Sequence, residues 1–422
     1  MRNRNCFRHI VLPFGVFLAC VFCNRAWSFF SNYNTILIGD RAAGMGGAYT
    51  SLTDDPAASS FYNPAALGQM EGSSLSTAVN LYAKSEVHFE DESAFESAPL
   101  RVNQGSIIPI PSSSGTVHTF GNFAFGISIL FPYFDQYTGQ VKNNGEQTSF
   151  LSVRDESLWV GGSFAVNLTK QKAIGVSIYY TSRTFSRSIS DRLTTGSNFT
   201  LVTNEKTISN NALIYIIGYY WDIDHHWHIG LSHRFQSLEI NGRGSFSKSL
   251  VSTDGSTPIF LDQSEIASES HIPSKSTLGI SYTAAKKWSA AFDLSFYDST
   301  YFTDLSESEA SDTVIYKPTW NINLGLEYYF KTWLAFRCGV YSNFSAHPEI
   351  PENPQIRLAD HIDMWGTSAN IAIFTSESSS ITLGGYYTGG QGHSVQQIGN
   401  QFEKVQQSKQ MFTFLVGTAY KF

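Results

Sequence analysis

The chain has 422 residues, of which 15% are charged and 14% are aromatic, and its formal net charge is -7. Soluble domains carry about 25% charged residues, yet no stretch after residue 28 holds the ~20 apolar residues that a membrane helix needs. Few charges, many aromatic residues and no hydrophobic helix favour a transmembrane β-barrel, in which only every second residue of a strand faces lipid. The negative charge argues against a nucleic-acid partner.

Residues 1–28 have the features of a secretory signal peptide. Three arginines precede an apolar run at 10–22, and Ala26-Trp27-Ser28 supplies the small residues of a cleavage site. The run is too short to span a bilayer, so the mature chain is predicted to begin near Phe29. The alternative is a lipobox that ends at Cys20, with Cys20 acylated, but Phe17 is atypical at its first position.

Cysteine use agrees with export. Three of the four cysteines lie in the signal peptide, so only Cys338 remains in the mature chain and no intramolecular disulfide can form. Because Cys338 lies in a predicted strand, packing is favoured over the role of a reactive thiol.

The stretch from Gly39 to Met70 differs from everything after it. It is too rich in Gly, Ala, Ser and Asp to build a packed core, although Phe61-Tyr62 and Asn63-Pro64 stand in its middle as anchors. Something larger has to hold it. A small irregular segment ahead of a closed barrel is the arrangement of a plug.

Three motifs follow one another in this stretch: Gly44 to Ala48, Asp54-Asp55-Pro56 and Asn63-Pro64-Ala65. In this order, between a signal peptide and a series of strands, they resemble the N-terminal hatch of the outer-membrane long-chain fatty-acid transporters, the FadL/OmpP1-like family. The resemblance implies a signal peptide at 1–28, a hatch at 29–72 and a transmembrane barrel at 73–422. The residues expected to form or gate the hatch are Gly44, Gly46, Gly47, Asp54, Asp55, Pro56, Asn63, Pro64 and Ala65.

Period-two alternation runs through the rest of the chain. Phe123, Phe125, Ile127 and Ile129, for example, alternate with small or polar residues, as expected for strands with one face toward lipid and one toward a lumen. The fold class is therefore all-β, an antiparallel transmembrane barrel of about fourteen strands with the hatch in its lumen. The predicted strands are 73–89, 99–111, 118–131, 157–168, 172–190, 206–223, 227–247, 262–283, 287–300, 314–330, 333–344, 362–375, 380–391 and 407–422.

The connections sort by length. Short turns at 169–171, 224–226, 284–286, 331–332 and 376–379 alternate with long polar links, which predicts short periplasmic turns, long extracellular loops and barrel termini in the periplasm. The terminal Phe422 fits the C-terminal aromatic signal that, in such families, the outer-membrane assembly machinery reads.

Alternation also predicts which charges point into the lumen. Arg337 and Glu327 lie on neighbouring strands with their apolar neighbours facing lipid, and the same argument places Arg234, His228 and Asp293 inside. A charge within a membrane segment is costly unless it faces a cavity or a partner. Arg337 or Arg234 could contact the hatch or a fatty carboxylate. Lumen salt bridges that fix the hatch or the barrel are the alternative.

The resemblance implies passive transfer of a hydrophobic molecule. Ligand is captured among the extracellular loops and enters an apolar pocket near the mature N-terminus, here Phe29 and Phe30, beside Phe61 and Tyr62. These aromatic residues could line that pocket or simply pack the hatch in place.

The ligand then leaves sideways, after a change of hatch shape, through a gap made by a kinked strand. The predicted strand 118–131 is the candidate, because Gly121, Gly126 and the following Pro132 weaken strand pairing.

Other function classes find less support. His225, His226 and His228 with Asp222 and Asp224 resemble a metal cluster, but a short turn would scatter these side chains, so a solvated turn is favoured. Catalytic motifs are absent from the sequence, so an enzyme is not expected and no cofactor or metal is implied. We expect a monomer in contact with membrane lipids that imports long-chain fatty acids or similar compounds. The alternative is an accessory barrel for protein secretion, or one whose loops bind host or environmental ligands.

Overall fold

A computed structural model of the chain describes residues 31–89, 110–143, 147–306, 308, 310–356, 358–398 and 401–422. The predicted signal peptide lies outside these residues. Two α-helices are described, α1 (Asp40–Gly44) and α2 (Pro56–Tyr62), followed by a 3₁₀ helix at Pro64–Gln69. None of the described helices is long and apolar enough to cross a membrane.

Strands make up nearly all of the remaining described chain. In chain order they are β1 (Ser73–Phe89), β2 (Ile110–Phe120), β3 (Phe123–Asn143), β4 (Gln147–Thr169), β5 (Lys172–Thr195), β6 (Asn198–Asp222), β7 (Trp227–Arg234), β8 (Leu238–Ser252), β9 (Ile259–Ala267), β10 (Lys275–Ala284), β11 (Trp288–Tyr297), β12 (Thr300–Thr303), β13 (Thr313–Tyr316), β14 (Thr319–Lys331), β15 (Leu334–Asn343), β16 (His361–Phe374), β17 (Ser379–Ile398) and β18 (Gln401–Lys421).

Fourteen of these strands close into an antiparallel barrel, as predicted. The circuit runs β5-β4-β3-β2-β1-β18-β17-β16-β15-β14-β11-β10-β7-β6, and β6 returns to pair with β5. The first barrel strand, β1, pairs with the last, β18. Closure leaves the fourteen-stranded wall without a free edge.

The outer face of the wall is apolar. Phe123, Phe125, Ile127 and Ile129 on β3 are each more than 40% exposed, whereas the intervening Ala124 and Ser128 are buried against the interior. Aromatic side chains, among them Trp227 and Trp288, collect at the end that carries the short turns. Such aromatic residues mark the membrane interfaces of barrels.

The polarity reverses toward the end with the long connections. On β5 the outward residues change from Ile178 and Tyr180 to Ser182, Thr184 and Ser186. The inward residues of the same stretch become apolar, since Phe185 and Ile189 are buried. The wall therefore projects beyond the membrane, where its outside meets water and its inside packs as a core.

The small β12–β13 hairpin fills this projecting end. Its Phe302 and Tyr316 belong to the same buried cluster as Phe185 and Phe246. The buried Lys206 ammonium holds the connection between the two strands, at 2.5 Å from Asp304 and 2.9 Å from Asp312. We call this assembly the extracellular cap.

Several predicted strand boundaries were wrong. The predicted strand 314–330 covers both β13 and β14, and most of the predicted link 132–156 belongs to β3 and β4. The predicted strand 118–131 spans the end of β2, a turn at Gly121 (φ 60°) and the start of β3. The alternation starts at Phe123, and the apolar Phe120 before the turn was joined to it wrongly. The predicted strand 99–111 lies mostly outside the described residues, and only 110–111 belong to β2.

The predicted strands 227–247 and 262–283 are each divided. After β7 the chain leaves the wall, so β8 pairs with the projecting part of β6 and β9 pairs with β8. Alternation continues through β8 and β9 because they too have an inner and an outer face. The sequence pattern shows that a strand exists and does not show its partner.

Candidate functional site: a hatch and an aromatic chamber inside the barrel

Residues 31–70 lie inside the barrel. Ile38, Ala42, Met45 and Tyr49 have no exposed surface, although the segment's own side chains are too small to form a core. Its packing partners are inward residues of the wall, such as Ala291. We use the name hatch for residues 31–70, which lie within the range 29–72 predicted for it and occupy the lumen.

Residues at the helix ends account for the local structure of the hatch. The Asp55 carboxylate caps α2 by accepting the N–H groups of Ala57 and Ala58, and Pro56 occupies the first turn, where its missing N–H costs nothing. Asn63 ends α2 in an extended conformation and caps the 3₁₀ helix through Ala65 N–H at 3.1 Å.

Asn63 also ties the hatch to the wall. Its side-chain amide donates to the carbonyl of Thr50 at 2.8 Å and to that of Tyr219 on β6 at 3.0 Å. Gly218 of β6 makes room for this contact, since a Cβ there would lie 2.0 Å from Asn63 Oδ1. The Asn-Pro-Ala motif is thus a junction of two hatch segments with one barrel strand.

The hatch glycines lie where the hatch contacts strands β14 to β16 of the wall. Gly46 and Gly47 have φ values of 65° and 79°, a region that glycine adopts freely. A Cβ on Gly44 would lie 2.2 Å from the Asn370 side chain. The close approach lets Asn323 donate to the Gly46 carbonyl at 2.6 Å.

The two adjacent aspartates have different surroundings. Asp54 is exposed, has a positive φ of 84°, and lies 3.6 Å from Arg41 and 3.4 Å from Lys421. Asp55 is 1% exposed and accepts the Ser76 hydroxyl of β1 at 2.6 Å. Burial, followed by the neighbouring Asp40 carboxylate, raises the pKa of Asp55 to about 7.

A charge network joins the hatch to the wall. The Glu327 carboxylate on β14 accepts Arg41 Nη2 at 2.6 Å and Arg337 Nε at 2.7 Å. All three side chains are largely buried. The structure thus places Arg337 and Glu327 in the lumen, where they hold the hatch through Arg41, a residue that the sequence analysis did not single out.

An aromatic chamber lies between the hatch and the extracellular cap. Tyr33 stacks on Tyr297 with ring centroids 4.4 Å apart and meets Tyr133 and Tyr316 edge-on. Trp159 completes the wall beside Tyr133. Offset and edge contacts of this kind stabilise aromatic clusters beyond simple burial.

Phe61 and Tyr62 of the hatch form the floor of this chamber. Phe61 packs on Trp159 at 5.8 Å between ring centroids, and Tyr62 packs on both Phe61 and Tyr49. Phe29 and Phe30, also predicted for the pocket, lie outside the described residues. Tyr33, which follows them closely in the sequence, lies in the chamber. Tyr33 was not named from the sequence, although an aromatic residue so near the predicted mature N-terminus was a signal that could have identified it.

Two cationic side chains face the chamber. Arg234 is 4% exposed and donates to the Tyr133 hydroxyl at 3.0 Å and to the Pro273 carbonyl at 3.2 Å. The Lys275 ammonium lies over the rings of Tyr62 and Tyr297, 5.9 and 5.3 Å from their centroids. Within the described part of the chain, neither cation forms an ion pair with a carboxylate.

Little free space lies beside Tyr33 in this conformation. The space beside Tyr33, Tyr133 and Tyr316 that is open to a water molecule measures about 20 Å³, close to the minimum for a single water. A larger molecule could enter this space only if a lining side chain such as Tyr33 moved. The segment around Tyr33 is held by Asn32 and Asn34, which donate to backbone carbonyls of β15 and β16.

The predicted turn residues 224–226 do not form a metal site. Asp224 accepts the backbone N–H groups of Trp227 and His226, which hold its pKa below the usual value. His228 pairs instead with Asp222 inside the barrel. Among the described residues, no group of three or more potential ligands is close enough to hold a metal ion.

The kink predicted in the wall has a different position. Gly121 lies in a turn, whereas β3 shifts register against β4 between Leu130 and Tyr133, at Phe131-Pro132. Proline removes one ladder donor, so Pro132 accounts for this irregularity. The described pairing of β3 with β2 ends at the same level, at Ser113 and Leu130.

Comparison with protein families decides the assignment. A family model described as outer membrane protein transport protein (OMPP1/FadL/TodX) matches residues 35–368. The chain belongs to this family. Its place is therefore the outer membrane of Gram-negative bacteria, in a family of transport proteins rather than enzymes.

Solved structures show the same fold at low sequence identity. A FadL homologue from Pseudomonas aeruginosa is 13% identical, with 93% of this chain and 100% of that chain covered and a TM-score of 0.67. The Pseudomonas putida toluene transporter TodX is 14% identical and has a TM-score of 0.64. The match covers 91% of this chain and 98% of TodX. The Ralstonia pickettii toluene transporter TbuX is 15% identical and has a TM-score of 0.60. The match covers 92% of this chain and 100% of TbuX. No curated protein matches the sequence significantly.

Proposed function

We propose that this protein takes up long-chain fatty acids, or similar hydrophobic compounds with a carboxylate, through the outer membrane. The observation that carries the proposal is the position of Arg234 and Lys275 among the aromatic rings of the chamber. Aromatic walls bind an apolar chain and a few polar groups orient it. A buried cation without an anionic partner favours a ligand that brings a negative charge.

The charge is what separates this ligand from a hydrocarbon. Family relatives include toluene transporters, and toluene has no charge. A neutral hydrocarbon would leave Arg234 without an anion and Lys275 with only the Asp293 carboxylate, which lies beyond ion-pair distance. A ligand carboxylate can accept hydrogen bonds from both cations. Each charge-assisted hydrogen bond contributes about 1.5–3 kcal/mol, which corresponds to roughly ten- to a hundredfold in affinity.

Entry of the ligand displaces Tyr33 in this proposal. The space available beside the ring is too small for an alkyl chain, and Tyr33 is the hatch residue that fills the chamber. Its replacement by ligand would pull on α1, because only six residues separate Tyr33 from Asp40. Contacts between the hatch and the wall would then break, namely those of Asn63, Gly44, Gly46 and Gly47. Breaking these contacts is the proposed gating step.

Release is proposed to occur sideways through the wall near Pro132, where β3 is irregular and its described pairing with β2 ends. The protein is proposed to act as a monomer surrounded by membrane lipids, after insertion by the outer-membrane assembly machinery. An accessory role in secretion or a surface-binding role remains the competing function. The experiment below distinguishes them.

Uptake of labelled oleate and of labelled oleyl alcohol is compared in cells that lack their own fatty-acid transporter. The cells express the parent, the Arg234→Met/Lys275→Met double variant, or Lys287→Met, which removes an exposed lysine from a periplasmic turn. At matched surface levels, we expect the double variant to lose at least tenfold in oleate uptake, to keep alcohol uptake, and the control to match the parent.

Two results contradict the proposal. Background uptake of both compounds by the parent would rule out fatty-acid import and favour an accessory or surface-binding role. Equal oleate uptake by the parent and the double variant would show that the two cations do not recognise the carboxylate.

A further inference from the structure

Two buried carboxyl groups of the hatch face each other. Asp40, in α1, is 5% exposed and Asp55, before α2, is 1% exposed. Asp55 Oδ2 lies against Gly39, the residue before Asp40, and the two carboxyl groups interact electrostatically. Each also binds a different part of the wall. Asp40 Oδ2 accepts the Thr382 hydroxyl of β17, and Asp55 Oδ1 accepts the Ser76 hydroxyl of β1.

One oxygen of this pair has no donor. Asp55 Oδ1 accepts from Ala57 N, Ala58 N and Ser76 Oγ, whereas Asp55 Oδ2 is buried and has no hydrogen-bond partner. The space around the pair is tight, because a Cβ on Gly39 would lie 2.4 Å from Asp55 Oδ2. A proton between the two carboxyls fits this space and satisfies the oxygen.

Nearby cations do not neutralise the pair. The described ionisable side chains on the elements packed around it include Arg41, Tyr49, Asp54, Tyr62, Arg337, Tyr341, Tyr386 and Lys421. Arg41 points away, toward Glu327 and the Thr53 carbonyl, and Lys421 lies beside Asp54. Tyr49 uses its hydroxyl to accept Asp55 N and to donate to Thr53 O.

We propose that Asp40 and Asp55 share one proton when the hatch is seated, and that loss of this proton loosens the attachment of the hatch to β1 and β17. Two ionised carboxylates in contact, with little water around them, repel each other strongly. Either Asp40 leaves Thr382 or Asp55 leaves Ser76 when both are ionised. The inference does not depend on which ligand the protein carries.

The direction of the pH effect follows from linkage. The seated hatch holds a proton that a released hatch, with a carboxyl of ordinary pKa near 4, gives up. The stabilising effect of the pair is therefore complete below about pH 4 and is lost as the pH rises through about 7. Within this window the opening equilibrium of the hatch increases by up to tenfold per pH unit.

Infrared spectroscopy of the mature protein in lipid vesicles tests the shared proton directly. We expect a carbonyl band of a protonated carboxylic acid that shifts in D₂O and disappears as the pH is raised from 5 to 9. Asp40→Asn and Asp55→Asn should each remove the band. Asp54→Asn, a matched change at an exposed neighbour, should leave it intact.

Hydrogen exchange of hatch peptides, corrected for the intrinsic pH dependence of exchange, supplies the second measurement. We expect opening to increase with pH in the parent and in Asp54→Asn, and to be nearly independent of pH in Asp40→Asn. Absence of the band in the parent, or its persistence in both single variants, would overturn the proposal. Loss of hatch protection on adding a chelator would show that a metal ion joins the carboxyls instead. Neither the infrared nor the exchange measurement uses oleate. A negative result for the shared proton is therefore distinct from a negative result for the transport proposal.

Discussion

Replacing Asn63 with alanine should release the hatch and leave the barrel intact. The change removes the cap on Ala65 N and the two hydrogen bonds to Thr50 O and Tyr219 O. A lost cap costs about 1 kcal/mol, and each neutral hydrogen bond adds about 1 kcal/mol. The sum of about 3 kcal/mol corresponds to roughly a hundredfold increase in hatch opening.

Hydrogen exchange followed by mass spectrometry measures this opening in the purified protein. Peptides from residues 55–69 should exchange about a hundred times faster in Asn63→Ala, and peptides from β14 to β16 should not change. Asn353→Ala, at an exposed loop position, is the matched control. Unchanged protection of residues 55–69 in Asn63→Ala would refute the view that this side chain fastens the hatch.

Three further changes test separate contacts. Arg41→Met should lose one charge-assisted contact with the wall, about 1.5–3 kcal/mol, and speed hatch exchange at least tenfold; unchanged exchange would contradict this. Gly218→Ala should act similarly, because its Cβ would meet Asn63 Oδ1 at 2.0 Å, whereas Gly162→Ala, with its nearest atom at 3.8 Å, should match the parent. Lys206→Met removes the ammonium shared by two buried carboxylates, a loss of about 3–5 kcal/mol, and should expose residues 303–313 to protease; resistance equal to the parent's would argue against this role of the ion pairs.

Alternation predicted the barrel because lipid and lumen impose opposite demands on successive residues. The number of membrane strands and the inward direction of Arg337 and Glu327 followed from that rule alone. The same rule could not show where the chain leaves the wall, because β8 and β9 alternate like barrel strands and pair outside the circuit.

The site was harder to predict than the fold. The predicted hatch motifs lie in the segment that occupies the lumen. The Arg41 contact with Glu327, however, joins positions 286 residues apart, and local pattern carries no information on such pairs. Lys275 was missed because the predicted strand 262–283 ran through the point where β10 begins. The Asp40–Asp55 contact likewise depends on how the hatch folds back on itself.

Locking the hatch to the wall tests hatch-gated uptake most directly. Gly68 of the hatch and Ala173 of β5 are both replaced by cysteine, and Cys338 is replaced by serine. A Cβ on Gly68 would lie 3.3 Å from the Ala173 Cβ, which is close to the spacing of a disulfide. The control pair, Thr77 and Ser114, links two wall strands only. Oleate uptake should be lost in the oxidised hatch-locked protein, return on reduction, and persist in the oxidised control. Uptake at the parent's rate through the oxidised, locked hatch would contradict the account.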